Sequence, residues 1–538
     1  MPSLRALFYA AVWLTLFFVP RCIAHGQQES PQVPVFRSTT TLVFLDVTVV
    51  DKNGNPVVTG LTKDDFTITE DNKPQRIFSF EAPEVHTIDK NARDDNPDSK
   101  APVTIFVLDR LNSDFEDFSY IDYSVRSYLM TQPEQLNAPV EMLVVGNDSL
   151  EMIQGYTRSR ADLLYALDHL PATLPYKMMN GSFWTERFDQ SIRALQQIAL
   201  QSRGIPGRKN IVWVGHGGPG VNTSGMPSPW PEKLNRYMHK TTDMLVDARI
   251  SLFVIYPGLK VSGPDMSVSI GSADADPSGR DPYAGNINFG IFANETGGKL
   301  FYNRNDVDME MKQSVQLGSE YYTLTYQPPE EKEDGNFQRI RVTLRNPNLR
   351  AITKTGFYTP EKDAPTDPTM QTALSAMMVT QATIPFSSIE MNVKGVLRHP
   401  DTRSADITVQ LHLKGLNWEA GEDGKLTSKL IMAAASLDGN QKILASKLMR
   451  YTVTSTIQDP AQRANTAPSF LFTIRVPRLT KNVRVIMETT DDVRMGSTEV
   501  SRKAIDTAPA VQTPEPQLAP RPVAMTGPAT GAPTAQNH

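Results

Sequence analysis

The densest group of chemistry-bearing residues is Gly215-His216-Gly217-Gly218-Pro219-Gly220. It spells G-x-G-x-x-G after an apolar run, the spacing with which a backbone cradles pyrophosphate at a helix N-terminus. The residues that follow, VNTSGMPSPWP, contain three prolines and do not read as that helix. The same stretch contains HGGPG, which suits an oxyanion loop. That chemistry needs a G-x-S-x-G nucleophile elbow on a later strand, and no such motif follows. Asp274-Ala275-Asp276-Pro277-Ser278-Gly279 matches the opening of a calcium loop, yet position twelve is Gly285 where a bidentate Glu is required. Among the histidines, His216 and His239 are expected near one face, with no third close in sequence.

The single cysteine, Cys22, falls in a leader-like segment, residues 1–24. Arg5 precedes an apolar run from Ala6 to Val19 that ends at Pro20, too short to cross ~30 Å of hydrocarbon. An acylated Cys22 would need a small residue before it, and Arg21 stands there. Cleavage after Ala24 would leave a chain without disulfides, thiolate metal sites or thiol nucleophiles. A secreted or periplasmic location in a bacterial envelope follows, with no transmembrane segment in the mature chain. The 54 basic and 59 acidic residues give a net charge of −5, which offers no footprint for nucleic acid.

Two kinds of element pattern must position these residues. From Val103, short apolar strands (VTIFVLD, VEMLVVG, LEMIQGY, NIVWVG, ISLFVIY, GKLFY) alternate with segments that are apolar at three- and four-residue spacing. That alternation specifies a doubly wound α/β sheet over 101–317. Three strand candidates precede it within 36–83, and three follow within 318–360 (SEYYTLTYQPP, FQRIRVTLR, AITKTGFYTP). Each set alone is marginal as a sheet, so the two are expected to pair as one β-sandwich around the insert. The aromatic cluster Tyr321, Tyr322, Tyr326, Phe357 and Tyr358 is expected in its core. A linker is expected at 361–372, a second β-sandwich at 373–503 with Asp438-Gly439 as a hairpin turn, and a disordered Ala/Pro/Thr-rich tail at 504–538.

Several motifs carry a family resemblance: LVFLDVTVVDKNGNPVVTGLTKDDFTITED, IFVLDRLNSDF, GRKNIVWVGHGG, EYYTLTYQPPEEKEDGNFQRIRVTLRN and TKTGFYTP. Through them the chain from Leu42 to Tyr358 resembles a von Willebrand factor A (VWA)-like family of exported acidobacterial proteins. The resemblance implies a metal site of the Asp-x-Ser-x-Ser kind after the first α/β strand, completed by a Thr and a second Asp. Here the first strand runs into Asp109-Arg110-Leu111-Asn112-Ser113, and Leu111 has no oxygen to offer. His216 stands where the second carboxylate belongs, which suits Zn better than Mg. Thr185 or Ser182 would supply the remaining ligand. Asp109, Ser113 and His216 therefore mark a degenerate metal site, whose Asp109 is expected to bond the following loop instead.

The loop Gly215–Trp230 lies beyond a strand's carboxyl end, where open α/β sheets hold ligands. Asn112, His216, Gly217 and Gly218 are the candidate partner-binding residues. The expected role is recognition of a protein or of a cell-surface or matrix partner, with no catalytic residue and no cofactor. A structural subunit of an envelope assembly is the alternative, and a hydrolase the less favoured one.

Overall fold

The computed structural model describes residues 42–86, 101–146, 149–170, 183–218, 220–223, 225–257, 282–283, 286–304, 306–328, 334–359, 382–413, 416–421, 424–490 and 494–511. The expected leader at 1–24, the linker at 361–372 and the calcium-like loop at 274–279 lie outside them. The described chain is mixed α/β, with strands in several sheets.

A six-stranded sheet positions the glycine loops. Its order is Lys299–Arg304, Ile250–Pro257, Lys209–Val214, Val103–Asp109, Gln135–Val145, Leu150–Ser159. The first five strands run parallel, and Leu150–Ser159, read above simply as a third strand, is an antiparallel edge. Alternation along each strand divides its side chains between two cores. Ile105, Val107, Ile211 and Trp213 face the helices Phe183–Ser202, Trp230–Asp247 and Gly290–Glu295. Phe106, Leu108, Val212 and Val214 face Phe115–Met130, Arg160–Asp168 and Val307–Ser319. Being covered on both sides explains why the strands read as unbroken apolar runs. The helix Val307–Ser319, which the sequence reading lacked, buries Val307, Met311, Ser314 and Leu317 at helical spacing.

Strands from both sides of this unit share two further sheets. One has the order Arg350–Ile352, Val43–Val50, Tyr322–Tyr326, Ile77–Glu81, and the other Gly356–Tyr358, Phe337–Leu344, Phe66–Glu70, Lys73–Gln75. A single core that includes Leu45, Val47, Ile68, Tyr322, Leu324 and Ile340 lies between them. AITKTGFYTP, read as one strand, is two strands, one in each sheet. The break falls where Thr353 and Lys354 press on Gly297 so closely that a Cβ there would lie 2.6 Å from the Thr353 carbonyl carbon. Buried polar groups join this unit to the α/β sheet. Arg208, 1 % exposed, donates to Ser251 Oγ (2.9 Å), Thr48 Oγ1 (2.8 Å) and the Gly297 carbonyl (3.3 Å). A guanidinium supplies enough fixed donors to satisfy all three acceptors without leaving a charge unsolvated.

Most of the remaining strands form two more sheets. Met391–His399, Ser404–Leu411 and Ser469–Arg475 make the first, and Leu426–Leu437 with Asn482–Thr489, Met495–Ser501 and Ile443–Ser455 builds the second. They share the core of Ile407, Val409, Leu430, Met432, Phe472 and Val485. Ala382, Ile384 and Phe386 pack into the α/β core instead. The helix Arg502–Thr507, capped by Ser501, and a bridge from Ala510 to Arg398 carry the described fold past the boundary at 503 expected from composition. Among the described residues no helix is long and apolar enough to cross a membrane.

Candidate functional site

The chain leaves Val103–Asp109 toward one side of the sheet and later returns to Lys209–Val214 on the other. The carboxyl ends of these adjacent parallel strands therefore form a topological switch point, the place where open α/β sheets leave a crevice. Asp109 ends one strand, and Gly215 and His216 follow the other.

Asp109 is fully buried, and both its oxygens accept from N–H groups. The Asn112 backbone donates at 2.9 Å and its Nδ2 at 3.1 Å to Oδ1, while Trp213 Nε1 at 3.1 Å and the Gly217 backbone at 2.7 Å donate to Oδ2. Asn112 Nδ2 also reaches Oδ2 and Ser191 Oγ, and its Oδ1 accepts from Arg187 Nε at 3.0 Å. One carboxylate thus ties together the loop after the first strand, the loop after the central strand, and the helix Phe183–Ser202. Hydrogen bonds to an ionised group are about twice as strong as neutral ones, so a buried carboxylate with this many donors is a stiff anchor.

The neighbouring glycines follow from this geometry. Gly215 has φ +140°, and a Cβ there would lie 2.3 Å from the Asp109 Cβ. Gly217 has φ +72°, and a Cβ there would lie 2.0 Å from the Phe289 ring. That ring in turn lies 4.7 Å from Trp213. The G-x-G spacing therefore serves close packing over a strand end. After Gly220 the chain forms the short strand Val221–Asn222, paired with Asn286–Ile287, and the next helix starts only at Trp230. This is not a dinucleotide cradle.

The degenerate metal residues are only partly brought together. Leu111 is 2 % exposed and packs into the α/β core, which accounts for an apolar side chain at that position. Ser113 Oγ is buried without a hydrogen-bond partner among the described residues. His216 Nε2 lies 3.6 Å from Asp117 Oδ2, its ring sits 5.6 Å from Tyr256, and its Nδ1 has no described partner. Ser182 and the side chain of Thr185 lie outside the described residues. Among the described residues no three His, Cys, Asp or Glu side chains gather as a metal group. The groups facing the Asp109 oxygens are N–H donors, which have the wrong polarity to share a cation with them.

Three expected placements need correction. His239 is not on the carboxyl-end face. It lies midway along Trp230–Asp247 and stacks on Tyr358 at 3.8 Å, so it packs this helix against the first β unit. Tyr322, Tyr326 and Phe357 pack in the sandwich core as expected, but Tyr358 faces His239 of the α/β unit and Tyr321 faces the same unit, where its ring lies beneath Arg208 at 5.3 Å. Trp213 and Arg187 were missed as members of the site. A lone Trp in the otherwise aliphatic NIVWV run was the available signal, because a buried indole N–H requires an acceptor.

Two exposed aromatic side chains sit at the starts of helices that leave this end of the sheet. Phe115 is 87 % exposed, one residue after the N-cap Asp114, and Trp230 is 60 % exposed with Lys233 Nζ 5.2 Å from its ring.

No family model matches the sequence, and no curated protein does. Among solved structures, a mutant of the PilB minor pilin from Streptococcus sanguinis aligns with 40% of this chain and 61% of its own, at TM-score 0.26 and 10% identity. The chain thus spans less than two thirds of that pilin. The SpRpn10 VWA domain aligns with 30% of this chain and 77% of its own, at TM-score 0.18 and 14% identity. A VWA domain is therefore a weak structural neighbour, and at such scores neither likeness bears on partner or activity.

Proposed function

We propose that this chain is an exported, VWA-like binding protein of the adhesion type. In this reading it recognises a protein, or a cell-surface or matrix partner, through the loops at the carboxyl end of its parallel sheet. The α/β unit is set into the first β-sandwich, and a second sandwich follows. The leader directs the chain to a bacterial envelope, and the narrower kinship is with the exported acidobacterial family. Neither Mg nor Zn is needed, and no bond is made or broken.

The Asp109 network carries this reading. Its N–H donors occupy both carboxylate oxygens and join both strand-end loops, which supports a surface that is ordered before a partner arrives. Preorganisation of this kind removes part of the entropic cost of association. Exposed aromatic side chains such as Phe115 and Trp230 are the type on which interface energy concentrates. A photo-cross-linking amino acid at either position of the full chain should capture the same partner in the native host's envelope. One at Tyr165, exposed on another helix, should not. The double replacement Phe115→Ala, Trp230→Ala should weaken that partner's binding at least ~10-fold with the melting temperature unchanged. Equal capture from Tyr165, or unchanged affinity of the double variant, would contradict the assignment.

One observation favours the alternative, a structural subunit. The strand Ile443–Ser455 pairs with Leu426–Leu437 alone among the described strands, and the exposed Leu448 and Leu471 lie on it and on Ser469–Arg475. A long edge with apolar residues beside it is a template for another chain.

A further inference from the structure

At the opposite end of the parallel sheet, the first β unit meets the loop Arg203–Lys209 and the turn Asp247–Arg249. A cleft of about 490 Å³ opens between them. Clefts at the junction of two packed units are common ligand sites. Arg203, Lys209, Arg249, Glu81, His86 and Asp247 all contribute to its wall.

Most of these charges have counterparts. Arg249 grips Asp46 with Nη2 at 2.5 Å and Nε at 3.1 Å, and Arg208 adds to the field on the same carboxylate. Arg203 lies 4.0 Å from Asp247, which Lys354 also faces. His86 Nε2 is 3.3 Å from Glu81, and its ring stacks on Tyr321. Lys209 differs. It is 2 % exposed, and its Nζ donates to the carbonyls of Ile205 (2.8 Å) and Gly207 (2.9 Å) with no carboxylate in salt-bridge reach among the described residues. Two carbonyl dipoles orient the amine without neutralising it, and an uncompensated buried cation is costly.

We propose that this cleft binds a small oxyanion, a carboxylate or phosphate group, on Lys209. The anion supplies the countercharge that the protein withholds, and the third N–H of the ammonium meets it. Burial and the nearby Arg249 pull the Lys209 pKa down to about 7, with Asp46 opposing them. The free amine is therefore mostly neutral at pH 8, and a bound anion raises its pKa. Binding then takes up a proton, and affinity falls as pH rises above 7 until the raised pKa is reached.

The test is calorimetric titration of the full chain with inorganic phosphate and, separately, with acetate. Each titration is run at pH 6.5 and 8.5, in buffers of different ionisation enthalpy. At least one anion should bind, with roughly one proton taken up at pH 8.5. Phosphate alone, acetate alone or both identifies the group the cleft accepts. Lys209→Met should weaken binding at least ~10-fold, whereas Lys209→Arg should retain it without proton uptake, because arginine does not titrate in this range. Binding of neither anion, equal binding to Lys209→Met, or binding to the wild type without proton uptake would overturn the proposal.

Discussion

Asp109→Ala is expected to cost about 3–5 kcal/mol of stability, because four N–H groups lose their acceptor in a buried site. Each orphaned buried donor costs about 1–3 kcal/mol, and relaxation with water entry recovers part of the sum. The effect should appear as a lower midpoint, with an unchanged slope, in the denaturant transition that melts the parallel sheet. Asp109→Asn keeps one carbonyl acceptor but turns an NH2 toward other donors, so an intermediate loss is expected. A change below about 1 kcal/mol for Asp109→Ala would mean that the carboxylate does not organise these loops.

Gly217→Ala is expected to cost about 2–4 kcal/mol, from two separable sources. The left-handed backbone at φ +72° is unfavourable for any side chain, and the new Cβ would meet the Phe289 ring at 2.0 Å. Gly225 lies in the same loop at φ +91° with nothing within 4 Å of a Cβ, so Gly225→Ala isolates the backbone strain at about 1 kcal/mol. The difference between the two midpoints measures the close approach of Gly217 to Phe289. Equal losses would show that packing over Phe289 contributes nothing.

The α/β sheet was legible because burial on both faces leaves a simple mark: uninterrupted apolar strands such as VTIFVLD and amphipathic helices between them. The direction of Leu150–Ser159 was not legible, since an antiparallel edge strand has the same composition as a parallel one. AITKTGFYTP was read as one strand because the break at Thr353–Thr355 coincides with a close backbone approach to Gly297, some 55 residues away in sequence, which no local pattern reports. At the switch point, the sequence located Asp109, Asn112 and the glycines, since strand ends and glycine runs are local features. The donors from Trp213 and Gly217 to Asp109 span more than a hundred residues, and no spacing rule reports such a pairing. The same limit hid the cleft at Lys209. GRKN reads as an ordinary basic turn until three strands of another unit close over it.

The most direct measurement is thermal melting of the metal-stripped full chain with and without saturating Mg²⁺, Mn²⁺, Ca²⁺ and Zn²⁺, beside Asp109→Asn. If N–H groups rather than an ion hold the strand-end loops, none of the four should shift the wild-type melting temperature. A stabilisation of about 2 kcal/mol or more that disappears in Asp109→Asn would place a cation on this carboxylate and contradict the account.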